Sequence, residues 1–197
     1  MTNEAKLESA ISALCVSCGL CCDGTLFKQA NLKDKKDSAL ADSLGLKVIE
    51  KQGKEAFLQP CHHFKSCCTI YQQPRPKVYG NYYCQPLTEL KKGVLTLEDA
   101  SALIERAVRL KQQFTRACQS FPEFANQSIS QIRPQLQSSS LTDAQQRGHR
   151  ERYGVLLIIG LKLFPLLDEI KQKKKAIDNP WAPFTRSTPN NYHSVLI

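Results

Sequence analysis

The chain has 197 residues, enough for one domain with a buried core or for one domain carrying an appended helical part. Charged residues make up 23% of it and hydrophobic ones 42%, a globular balance that excludes a fibrous or wholly disordered chain. The formal charge of +9 falls if cysteines ionise on a metal, and it is uneven: 11 basic and 9 acidic residues stand up to Leu90, against 16 and 9 after it.

In chain order, residues 3 to 14 predict a short helix, capped by Thr2 or Asn3, with Leu7, Ile11 and Leu14 along one face. A cysteine loop around Cys15, Cys18, Cys21 and Cys22 is expected next, loosened by Gly19 and Gly24. A short helix near Ser38 to Leu44 ends at Gly45. Leu46 to Lys51 and Lys54 to Gln59 flank Gln52-Gly53 as a hairpin that delivers Cys61. Pro60 to Pro86, rich in proline and cysteine and without a sustained period, reads as irregular loop. Thr96 with Asp99 starts a long helix from Leu97 to Cys118, whose apolar positions follow helical spacing. Residues 119 to 140, rich in Gln and Ser, predict a long surface connection. A second long helix starts near Thr142 and is expected to be buried on all sides around Val155 to Phe164, with Pro165 ending or kinking it. That run holds Lys162 and falls short of the roughly 20 residues of a membrane span, so no transmembrane segment is predicted. The segment 179–197 reads as an extended tail, and Lys171 to Lys175 as a solvated helix end.

The fold expected is therefore mainly α: an irregular cysteine-rich core with a small β-hairpin, packed against two long helices. The boundaries are 1–90 for the cysteine-rich region, 91–178 for the helical region and 179–197 for the tail, together one compact domain.

Nine cysteines are far more than chance supplies in such a chain, and seven of them precede residue 80. The N-terminus carries Glu4 and Glu8 and no long apolar run, which argues against a secretory signal and predicts a cytoplasmic protein. In a reducing compartment dense thiols serve as metal ligands more often than as disulfides. The odd count and the adjacent pairs Cys21-Cys22 and Cys67-Cys68 fit disulfide pairing poorly. In Cys15-Val-Ser-Cys18-Gly-Leu-Cys21-Cys22, each two-residue spacer lets two sulfurs face one metal from a tight turn. Thr25 stands where a ferredoxin loop would place its next cysteine, so this is not such a loop. Cys61, Cys67, Cys68 and Cys84 must return in space to supply further ligands. Cys118 lies on the apolar side of its helix and is read as core.

This stretch, with Cys68-Thr-Ile-Tyr71 leading to Arg75-Pro76, resembles the CxxCxxCC or YkgJ-like family of zinc- or iron-chelating cysteine-cluster proteins, over about residues 15 to 84. The resemblance implies Cys15, Cys18, Cys21, Cys22, Cys61, Cys68 and Cys84 as metal ligands. The chain departs from the pattern at Tyr79, where a cysteine is expected, and at Gly80, where an arginine is expected; one extra residue also separates Tyr71 from Arg75. Either Cys67 replaces the missing ligand, or one site has three thiolates and an exchangeable position. His62 and His63 are read as surface residues or as neighbours of the ligands, and Tyr71 and Arg75 either hydrogen-bond to the cysteine loops or simply pack.

The cofactor expected is an iron–sulfur cluster or zinc, the triple C-x2-C-x2-C tilting the choice slightly toward iron–sulfur. The function expected is a metal-binding module, with a possible redox role and a protein partner docked on its helices. One alternative is a metal-supported protein-modifying enzyme, since flagellin lysine methylases carry a similar motif; no catalytic residue is singled out. The other is a nucleic-acid binder using Arg106, Arg109, Arg116, Arg147, Arg150 and Arg152, which lack interleaved aromatics.

Overall fold

The computed structural model describes residues 2–137 and 142–171. The predicted tail 179–197 and, of the predicted helix end, residues 172–175 lie outside the described residues.

Helix α1 spans Asn3–Cys18, with Thr2 Oγ1 accepting from the Ala5 N–H at 3.3 Å. No helix breaker stands between Leu14 and Gly19, so the helix continues through Cys15 and Cys18, which are helical rather than part of a loop. Gly19 ends it at φ 67°, a left-handed conformation that glycine adopts without Cβ strain. Helix α2, Lys35–Ser43, starts three residues before the expected Ser38, because the Asp34 carboxylate caps it by accepting from the Asp37 N–H at 2.9 Å.

The predicted hairpin is present as β2, Val48–Lys51, and β3, Lys54–Leu58. Gln52 and Gly53 both have positive φ, as a tight hairpin turn requires. A third strand, β1 at Gln29–Asn31, pairs antiparallel on the other edge of β3, giving the order β1-β3-β2. Only three residues long, it carries no readable alternation.

The segment Pro60 to Pro86 is more ordered than expected. A two-residue ribbon pairs β4, Phe64–Lys65, with β5, Cys67–Cys68. Helix α3 follows at Val78–Asn81 and α4 at Gln85–Lys91, where Pro86 sits in the first turn and so costs no hydrogen bond. Buried Asp37 helps to hold this segment: its carboxylate accepts from the Lys77 N–H at 2.8 Å and the Lys33 N–H at 3.0 Å.

Helix α5 is Leu97–Cys118, as predicted, with Thr96 Oγ1 accepting from the Asp99 N–H at 3.1 Å. The expected surface connection at 119 to 140 is instead partly folded and packed. A 3-10 turn at Pro122–Phe124 leads to α6, Ile129–Leu136, which buries Ile129, Ile132 and Leu136. Helix α7 is Asp143–Ile170. It passes through Pro165 without ending, and its one non-helical residue is Tyr153. Leu161, whose carbonyl loses its partner to Pro165, lies on an exposed face where water can take that bond. The α7 run is not buried on all sides either: Val155, Ile158 and Leu161 are 52%, 65% and 77% exposed, while Leu156, Leu163 and Leu167 point inward.

The main core joins α1, α4, α5, α6 and α7, with Phe114 and Phe164 stacked edge to face at 5.5 Å. It draws on the cysteine-rich and helical regions alike. A smaller core under the sheet holds only Ala41, Leu46, Phe57 and Cys61 as buried members. Among the described residues no helix is long and apolar enough to cross a membrane.

Candidate metal centre

Cys15 and Cys18 stand three residues apart in the last turns of α1 and so share one helix face. At Gly19 the chain turns sharply, its carbonyl accepting from the N–H groups of Cys22 at 2.8 Å and Asp23 at 2.9 Å. Leu20, fully buried, fastens this turn to the main core, and Asp23 pairs with Lys111 of α5 at 2.8 Å. Cys21 and Cys22 thereby follow Cys18 back over the end of α1.

The second group arrives by backbone contact with the first. The Cys61 N–H donates to the Cys22 carbonyl at 2.7 Å. In the β4–β5 ribbon Phe64 pairs with Cys68 and Lys65 with Cys67. Adjacent residues of a strand point to opposite faces, so Cys68 is half-buried toward the site while Cys67 is exposed. Cys84 is buried at the start of α4.

Two cavities adjoin these sulfurs. The smaller, about 40 Å³, is lined by Cys15, Cys18, Cys21, Cys22 and Cys84. The larger, about 260 Å³, has Cys15, Cys21, Cys22 and Cys68 on its wall. Cys61 stands beside Cys22 and Tyr79. The seven residues singled out from the sequence are thus brought into one neighbourhood from four stretches of chain, and Cys67 and Cys118 are left out of it. Cys118 packs half-buried against the main core, burial pushing its thiol up to about 11. Among the described residues no three Cys, His, Asp or Glu side chains stand in the arrangement of a closed ion-binding set.

The electrostatics disfavour free thiolates here. Desolvation by burial pushes Cys18 up to about 12, with Cys84, Cys15 and Asp23 adding to the rise and the Leu20 N–H opposing it. Burial likewise raises Cys84 to about 11, and it raises Cys21 and Cys22 with their sulfur neighbours adding to the effect. Cys15 is solvent-exposed over part of its surface, yet crowding by apolar atoms still raises it, against the pull of Arg75. With their ionisation opposed in this way, these groups stay neutral thiols at neutral pH; sulfur donors that did ionise would suit a thiophilic cation.

Tyr79 is where the site departs most from expectation. Its ring packs on Phe57 at 5.5 Å, and its buried hydroxyl lies beside Cys61 and Gln59 without closing a hydrogen bond of regular geometry. Burial, followed by the neighbouring Cys61 and Cys22, pushes this phenol well up. The Gln59 Oε1 is also buried and unpaired. Gln59 was not legible as a site residue, since nothing in its local sequence marks it. Tyr71 and Arg75 meet by stacking, the guanidinium 4.2 Å from the ring centroid, on the wall of the larger cavity. His63 bonds the Leu44 carbonyl at 2.9 Å and His62 is exposed against it, so the pair braces the loop after Cys61 on the end of α2. Of the six arginines considered for nucleic acid, Arg152 pairs with Glu123 at 2.8 Å and Arg109 with Glu105 at 3.6 Å.

No protein-family model, curated protein or solved structure matches the chain.

Proposed function

We propose that this protein holds a metal centre, an iron–sulfur cluster or zinc, through Cys15, Cys18, Cys21, Cys22, Cys61, Cys68 and Cys84. The supporting observation is selective gathering: of nine cysteines, six from separate segments line the two cavities and Cys61 stands beside Cys22, while Cys67 and Cys118 stay apart. A packed core has no need to collect partly buried thiols whose ionisation it opposes. A metal does, because it binds the thiolate form and turns that cost into folding free energy. Seven sulfurs exceed the four that one structural zinc or one cluster takes, which favours a cluster plus an ion, or two sites sharing sulfurs, over a single centre. The likeness to the YkgJ-like cysteine-cluster proteins points the same way.

The test is elemental analysis with a visible absorption spectrum on protein purified without oxygen. Iron with sulfide and a brown chromophore is the expected result, and stoichiometric zinc in colourless protein keeps the metal centre while replacing the cluster. Protein that holds neither metal, as purified or after anaerobic reconstitution, refutes the proposal.

A further inference from the structure

We propose that the exposed apolar face of α7 pairs two copies of this chain as an antiparallel, two-fold symmetric homodimer, in which Ile158 meets its own counterpart on the axis. The inference is independent of the metal-centre reading, since every residue it uses lies on α7.

Three observations carry it. First, of the five large hydrophobic side chains exposed among the described residues, three share this helix: Val155, Ile158 and Leu161. Single exposed apolar residues are ordinary, whereas a continuous stripe on one face marks an interaction surface. From Gly154 onward α7 is regular helix, and at about 100° per residue Gly154, Val155, Leu161, Lys162 and Pro165 all fall within about 60° of the direction of Ile158. Leu156, Leu163 and Leu167 point the opposite way into the main core, which leaves the stripe to an outside partner.

Second, the stripe complements itself when a second copy is reversed about Ile158, as a two-fold interface requires. Leu161 then sits over the partner's Gly154, where an added Cβ would meet nothing within 4 Å, so the backbone leaves room for the side chain. Val155 lies along the aliphatic stem of the partner's Lys162. Third, the charges on this face match under the same reversal. Arg147 and Glu169 lie equally far along the chain from Ile158 on opposite sides, so Arg147 comes level with the partner's Glu169. The ammonium of Lys162 comes to the side of the helix that carries the partner's Glu151. These four side chains are exposed, and none has an ion pair among the described residues. Glu151 and Glu169 would repel an anionic lipid surface, whereas alternating signs that pair on reversal favour a second copy of the chain.

The experiment measures the mass of the full chain by sedimentation equilibrium from about 1 to 500 µM, with reductant present and at about 0.15 M salt, which screens the net positive charge. The stripe from Gly154 to Pro165 is about 17 Å long, a small contact, so dissociation in the micromolar range is expected. The mass then rises with concentration from 22.2 kDa toward twice that value. Ile158→Glu places two carboxylates on the axis and keeps the protein monomeric throughout, while its thermal melt at low concentration matches that of the parent because the position is exposed. Should that variant fail to fold, Leu161→Glu must give the same loss of association. Arg147→Glu weakens association about fivefold, and adding Glu169→Arg restores it, as the reversed arrangement requires. A mass that stays at 22.2 kDa across the range overturns the inference. Association that survives Ile158→Glu, or that the double reversal does not recover, overturns it too. So does binding to phosphatidylglycerol vesicles by a chain that stays monomeric, which assigns the face to a lipid surface instead.

Discussion

Gly19 joins the two halves of the cysteine-bearing turn, and replacing it by alanine tests how tightly the first thiol group is coupled to the second. Its φ of +67° lies in the left-handed region, where a Cβ costs about 1–2 kcal/mol. A Cβ there would also come to 1.8 Å from the Phe64 ring tip, so that ring must swing away. Phe64 is the strand partner of Cys68, and its displacement disturbs the second thiol group. Overpacking of this kind costs about 1–3 kcal/mol, giving a total of about 2–5 kcal/mol for Gly19→Ala. Gly53 is the control: its φ is +70° and an added Cβ meets nothing within 4 Å, so Gly53→Ala carries the backbone cost alone, offset in part by the stiffer unfolded chain. Denaturant unfolding followed by circular dichroism at fixed metal content measures both variants. A further substitution, Phe64→Ala, should recover much of the excess in the Gly19→Ala background. Equal losses for Gly19→Ala and Gly53→Ala would refute the claim that Phe64 closes down on the turn.

Other predictions address the site and its frame. Cys18→Ser and Cys68→Ser each lower metal content and melting temperature, whereas Cys118→Ser leaves metal content unchanged; elemental analysis with thermal melts separates them, and a Cys118→Ser loss equal to the others would contradict the assignment. Phe114→Ala, which empties a fully buried position against Phe164, costs about 3–5 kcal/mol in chemical denaturation. Arg133 grips Asp168 with two 2.7 Å bonds between α6 and α7, and these bonds hold the carboxyl below its usual range. Its contribution is therefore present above the unfolded carboxyl value and lost as pH falls through the lower folded one. Asp168→Asn should cost under about 1 kcal/mol at neutral pH, since the Asp168 side chain is more than half exposed, and nothing once acid has neutralised the native carboxylate. A difference that persists in acid would show that packing, not charge, is responsible.

Much of this arrangement was legible before the structure. Helix α5 was read to the residue because Thr96 caps it and its apolar positions keep a regular period to Cys118. The hairpin turn was read from Gln52-Gly53. Helix α6 was missed because its polar neighbours suggested a loop, although Ser128 and Gln131 form a capping box and Ile129, Ile132 and Leu136 share a face. The outer face of α7 was misread, since the run is apolar apart from Lys162, and that single charge, on the exposed side with Ile158 and Leu161, was the one mark of which side meets solvent. For the site, the family resemblance implied the seven cysteines, Cys68 among them, whereas spacing alone could not tell which of Cys67 and Cys68 faces inward; that depends on the register of a two-residue ribbon. The place of Tyr79 beside Cys61 depends on buried Asp37 holding the Lys77 backbone from forty residues away, and no local pattern records such a contact.

The inequality of the two cores has a consequence for the order in which the molecule comes apart. Helices α1, α4, α5, α6 and α7 interlock through a broad apolar interior, whereas the three-stranded sheet and α2 rest on four buried side chains. Sub-global opening begins where the fewest apolar groups must be exposed. Amide protons of β1, β2 and β3 should therefore exchange with solvent before those of α5 and α7. Cys61 belongs to the part that opens first, while Cys18 and Cys84 belong to the part that opens last. Ions bound between them would act as a clasp, with one jaw fixed to a rigid frame and the other hinged to a yielding one.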